Sequence, residues 1–123
     1  MRVFKTRWFT KWALKEDLKD DILLEAIKEM EKGLIDANLG SNVFKKRVAK
    51  KGKGKSGSTR TIIAFKINDR AFFMYGYSKN EKDNINKKEL EALKILSNDV
   101  LNYSDKKITQ LLLTKELMEV LYE

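Results

Sequence analysis

The chain has 123 residues, enough for one domain with a modest core, and its 26 Lys and Arg against 18 Asp and Glu give a net charge of +8. It contains no cysteine and no histidine, which excludes disulfide frameworks, thiol nucleophiles, zinc fingers, histidine metal sites and Ser-His-Asp triads. No carboxylate cluster suggests an oxygen-ligated metal, so no cofactor is expected. No apolar run nears the roughly 18 residues of a membrane span and no signal peptide opens the chain, so a cytoplasmic protein without a membrane partner is expected.

The opening, Arg2 to Trp12, mixes aromatics and bases and suggests a short strand leading into a helix. Residues 1–15 hold five bases (Arg2, Lys5, Arg7, Lys11, Lys15) and no acid. Residues 17–35 predict an amphipathic helix, with Leu23, Ile27, Met30 and Leu34 at i, i+4, i+7 and i+11 and acids on the opposite side. Gly33 falls near its end, and Gly40 falls in the connection beyond. Residues 16–36 carry eight acids against three lysines, so a polyanion would be steered away from this helix.

Residues 43–48 (VFKKRV) suggest a strand, and KKGKGKSGS after them breaks any regular pattern. Lys45, Lys46, Arg47, Lys50, Lys51, Lys53, Lys55 and Arg60 put eight bases and no acid into residues 43–60, while the rest of the chain is balanced at 18 of each sign. The whole excess is one local block, which suits an anionic partner and equally suits a solvated loop. Ala49-x4-Gly54-Lys55-Ser56 fits a permissive Walker A pattern. A phosphate-binding loop of that kind needs a helix after it, and Ser58 to Ile67 is instead β-rich, so a nucleotidase is not expected.

Thr61–Ile67 and Ala71–Tyr77 predict two strands joined by a turn at Asn68-Asp69. Their near-continuous apolar character suggests a sheet covered by helices. Residues 87–102 predict a helix with Leu90, Leu93, Leu96 and Val100 on one stripe. Leu113, Leu117 and Leu121 then predict a C-terminal helical extension at about 106–122, docked on the domain or offered to a partner. The expected architecture is a single α+β domain over 1–123, with helices on one face of a small, twisted, mainly antiparallel sheet.

The stretch Lys46–Asn84, KRVAKKGKGKSGSTRTIIAFKINDRAFFMYGYSKNEKDN, resembles the RelE/HigB-like toxins of bacterial toxin–antitoxin modules, in the RelE/ParE superfamily. KRVA before the loop, GKGKSG-x-x-RTI entering a strand and YGYSKNE closing the hairpin carry the likeness. It extends outward through DANLG to cover roughly residues 3–103. The resemblance implies a RelE-like microbial RNase fold, metal-independent cleavage of mRNA on the ribosome, and a cognate antitoxin, often of helix-turn-helix type. It implies that Lys51, Lys53 and Lys55 grip RNA and ribosome, that Arg60 faces the scissile phosphate, and that Lys79 shares the cleft. Lys45, Lys46, Arg47 and Lys50 extend the basic surface. The better-known RelE branch has an arginine where this chain has Asn80, and a tyrosine where it reads Ile85-Asn86-Lys87. Tyr75 or Tyr77 are the substitutes for that tyrosine, and strand alternation puts both on one face, site or core.

RNA supplies its own nucleophile, the 2′-hydroxyl. Cations can stabilise the charge that develops at phosphorus. Acid–base help, worth about 10²–10⁴ per group, must come from Lys, Tyr or a carboxylate. Lysine serves as a base only where burial or neighbouring charge lowers its pKa, and the cluster Lys51/Lys53/Lys55/Arg60 offers such repulsion. Glu81, the nearest acid to Lys79, offers either a base or a surface partner for it, and the partner role is the one expected. Positioning by the ribosome can contribute ~7–11 kcal/mol, which makes a histidine-free site plausible. Two other readings compete: an RNA-binding module without catalysis, which leaves Arg60 and Lys79 unassigned, and a ParE-like gyrase poison, which a dense lysine block suits less well.

Overall fold

The computed structural model describes residues 1–49 and 59–122. Its centre is a hairpin of β4 (Thr59–Lys66) and β5 (Arg70–Ser78), turned at Asn68, which takes a left-handed φ of 62°. β3 (Val43–Val48) and β2 (Ala37–Gly40) extend the sheet beyond β4, and β1 (Arg2–Thr6) and β6 (Leu117–Glu119) extend it beyond β5. The order is β2-β3-β4-β5-β1-β6. Every pairing is antiparallel except β1 with β5, which is parallel.

The central strands are apolar on both faces. Ile63, Phe65, Ala71 and Phe73 join one core cluster with Phe9, Trp12, Leu23, Ile27 and Met30, so α1 (Arg7–Lys15) and α2 (Asp20–Glu31) cover that side. Ile62, Ala64, Phe72 and Met74 join a second cluster with Leu93, Val100 and Ile108, from α3 (Lys87–Leu101) and α4 (Asp105–Leu113). The expectation of helices on one face is therefore corrected. A strand that is apolar at successive positions presents apolar side chains to both sides, and each side needs its own cover.

Local signals explain most element ends. α2 stops in a Schellman motif: Gly33, at φ 87°, donates to Met30 O at 2.9 Å and Leu34 donates to Glu29 O at 2.9 Å. Leu34 thus lies beyond the helix and is exposed, contrary to its expected place on the apolar stripe. α3 opens with a capping box between Asn86 and Glu89. The segment containing Gly40 is not a bare connection. It forms β2, closed onto β3 by a tight turn with Ser41 and Asn42 both at positive φ.

The C-terminal helix ends earlier than expected. α4 stops at Leu113, Lys115 turns the chain at φ 61°, and β6 pairs with β1. Leu113 and Leu121 are exposed while Leu117 is buried, so the three leucines share no stripe. The segment is part of the sheet and core. No helix among the described residues is long and apolar enough to cross a membrane.

Candidate nucleic-acid interface

Strand register assembles the candidate site. Arg60 lies opposite Arg47 on β3 and opposite Tyr77 on β5, making a cross-sheet row of two guanidinium groups and a phenol. The next row is Lys45, Ile62 and Tyr75. Residues directly opposite in an antiparallel ladder share a face, and Ile62 and Tyr77 assign both rows to the face covered by α3 and α4.

A β-bulge decides where the tyrosines point. Ile62 pairs with Tyr75 but Ile63 pairs with Phe73, leaving Met74 as the extra residue. Alternation from Phe72 and Met74 alone would bring Gly76 to this face and send both tyrosines to the other. The bulge exchanges them. Tyr75 and Tyr77 share the face as the sequence suggested, with ring centroids 6.2 Å apart.

The two phenols differ in access. Tyr77 is 1% exposed, and its hydroxyl is 3.4 Å from Asn84 Oδ1. Burial pushes its pKa up, against the opposing pull of Arg60 and Lys82. Tyr77 is a core residue beneath Arg60, which corrects its expected place as a group touching substrate. Tyr75 is half-buried, and its hydroxyl accepts from Lys82 Nζ at 3.1 Å and donates to Glu89 Oε2 at 3.2 Å. Lys82 closes the triangle on Glu89 at 2.6 Å. The bonds to Glu89 and Tyr75 push Lys82 up to about 12, and Lys82 with the Asn86 amide holds Glu89 below the usual carboxylate range. Sequence reasoning missed Lys82 and Glu89. The Asn86-x-x-Glu89 capping pattern was legible, but nothing local shows that Lys82 folds back onto it.

The basic residues divide as well. Lys46 is buried, paired with Glu29 at 2.7 Å and donating to Leu34 O at 2.9 Å. It ties β3 to α2 and is corrected out of the anion-binding set, because its ammonium faces away from solvent. Arg47 is exposed but tethered: Nε reaches Asp36 Oδ1 at 2.9 Å and its amide reaches Oδ2 at 2.6 Å. Burial pushes the Asp36 carboxyl up, but Arg47 and the adjacent cationic charge outweigh it and hold the group low. Arg60 and Lys45 are part-exposed, and Lys79 is exposed just past the end of β5. Glu81 accepts from Ser78 Oγ at 3.2 Å, a partner other than the one expected for it. Lys50, Lys51, Lys53 and Lys55 lie outside the described residues. Among the described residues no group of carboxylates gathers that could hold a metal ion.

A sheet face with cations in register, edged by phenols, on an α+β frame of this topology can bind phosphate and stabilise charge on it. The profile of the family described as "RelE toxin of RelE / RelB toxin-antitoxin system" matches residues 1–120. The chain belongs to the RelE toxin family. No curated protein matches it. As a RelE-family chain it is the toxin of a toxin–antitoxin system, and its partner is a cognate antitoxin. The RelE match spans α4 and β6 as well as the motifs around the loop, in keeping with a C-terminal segment built into the fold.

Proposed function

We propose that this RelE-family toxin is an endoribonuclease that cuts mRNA on the translating ribosome and so stops translation. Arg60 carries the reading: it stands at the start of β4, directly after the lysine-rich stretch of sequence, in register with Arg47 and Tyr77. Lys50, Lys51, Lys53 and Lys55 grip RNA and ribosome, and Lys45 and Arg47 add to their charge.

In the proposed reaction the 2′-oxygen attacks the adjacent phosphorus, the bond to the 5′-oxygen breaks, and the products are a 2′,3′-cyclic phosphate and a 5′-hydroxyl. Arg60 and Lys79 stabilise the added negative charge at phosphorus. Lys82 remains an ammonium up to about 12, so it contributes charge rather than a base. Tyr75, whose hydroxyl accepts from Lys82 Nζ at 3.1 Å, donates the proton that the departing 5′-oxygen requires. The ribosome aligns the 2′-oxygen with the bond that breaks; the proton of the 2′-hydroxyl leaves to solvent water, from which Tyr75 regains the one it gave, so the toxin needs no dedicated strong base.

The test is to map mRNA 5′ ends on programmed ribosomes and on the same RNA naked, with parental toxin and Arg60→Ala. Cleavage at defined codon positions on ribosomes only, lost in Arg60→Ala with ribosome binding retained, is the expected result. Equal cleavage of naked RNA overturns ribosome dependence. Intact ribosomal mRNA overturns the enzyme and leaves a binding module, or a gyrase poison if DNA supercoiling is inhibited instead.

A further inference from the structure

Three aromatic rings lead away from Arg60. Tyr77 is its cross-strand neighbour, Tyr75 follows at 6.2 Å, and Trp8 stacks on Tyr75 with centroids 4.6 Å apart and planes 28° apart. Trp8 belongs to the first turn of α1, whose other large aromatics, Phe9 and Trp12, are buried. Trp8 is 47% exposed although Tyr75 stacks on it and Trp12 lies nearly parallel to it at 6.2 Å, so nearly half of the residue stays in solvent. The residue lines a groove of about 430 Å³ with Met74, Leu96 and Leu111, where Arg7 and Glu116 supply one charge of each sign.

An indole left half in water forgoes burial that α1 provides to its neighbours. What it offers is a flat apolar face at the end of a ring series that begins at a guanidinium row. Single-stranded nucleic acid is held by this combination, cations along the backbone and aromatic planes under the bases. A protein partner's apolar side chain would also use the ring, but it would not need the cation row at the other end of the series.

We infer that Trp8 is a nucleobase platform: it stacks under a base of the RNA strand whose phosphate lies at Arg60. The inference rests on the RNA-cleaving reading of the same cleft and adds to it a substrate-positioning contact. Base stacking of this kind tolerates any of the four bases, so Trp8 fixes where the strand lies rather than which codon is cut.

The test uses Trp12→Phe toxin, in which Trp8 is the sole tryptophan, and a single-stranded 2′-O-methyl oligoribonucleotide, which lacks the free hydroxyl needed for cleavage. An abasic strand of equal length and phosphate number is the control. The intact strand is expected to quench Trp8 emission saturably at low salt, and the abasic strand to leave it unchanged. Trp8→Ala is expected to weaken binding of the intact strand on the order of tenfold without altering binding of the abasic one, and Trp8→Phe to recover most of the loss. No quenching, or equal quenching by both strands, overturns the inference. So does a Trp8→Ala toxin that binds RNA normally but escapes its antitoxin. If Trp8→Ala fails to fold, the quenching comparison still decides. Ribosomal cleavage is read separately: cleavage without base-dependent quenching sinks the platform alone, and quenching without cleavage sinks the enzyme reading and leaves the platform standing.

Discussion

Gly76 lies so close beneath the indole of Trp12 that a Cβ at this position would overlap the ring. The strand carries a tyrosine on either side of that glycine, both turned to the opposite face, so the absence of a side chain at Gly76 lets α1 settle on the sheet. Gly76→Ala is expected to destabilise the fold by about 1–3 kcal/mol through overpacking, seen as a lower denaturation midpoint. Trp12→Phe in the same chain should recover part of the loss, because it shortens the ring that the new methyl group meets. An alanine variant as stable as the parent would show that α1 can shift freely.

Lys46 separates charge that grips from charge that folds. Lys46→Met leaves Glu29 without its buried partner and the Leu34 carbonyl without its donor. A loss of about 1–3 kcal/mol in urea unfolding is expected, below the range for a fully buried pair because Glu29 is partly open to water. The salt dependence of ribosome binding should stay unchanged, since the slope counts phosphate contacts and Lys46 makes none here. A flatter slope would return Lys46 to the binding surface.

The C-terminal segment is expected to behave as core. Ile108, Leu117 and Val120 are all buried, and β6 completes one edge of the sheet. Truncation after Tyr103 should yield insoluble or unfolded protein, and the milder Leu117→Ala should cost about 2–5 kcal/mol. A folded, toxic truncation product would contradict the observed packing.

Acid should loosen the edge between β1 and β6. Glu119 accepts two bonds from Arg2, at 2.9 Å each, and these hold its carboxyl below the usual glutamate range. A folded-state pKa below the unfolded one contributes stability that is complete above the unfolded value and is lost as pH falls through the folded value. The pair is largely open to solvent, so the contribution is about 0.2–1 kcal/mol. Glu119→Gln should narrow the stability gap between pH 6 and strongly acid solution by about that amount. Parallel pH profiles for parent and variant would remove the pair from the acid response.

Local periodicity determined much of this protein from sequence alone. The β-branched and aromatic runs of β4 and β5, the spacing of Leu93 and Val100 in α3, and the Gly33 stop after α2 are written within a few residues, where backbone sterics and side-chain period act. The ordered motifs around the lysine loop pointed to the family, and they also placed Arg60 at the start of a strand. Tertiary structure decided the rest. A bulge of one residue turned Tyr75 and Tyr77 together toward Arg60, and an acid from α2 drew Lys46 inward while its neighbours stayed outside. Leu117 left the expected helix for a strand because β1, more than a hundred residues away in the chain, offered an open edge to pair with. Strand register, charge pairing and edge closure are contacts between distant segments, and a short window of sequence holds only one partner of each.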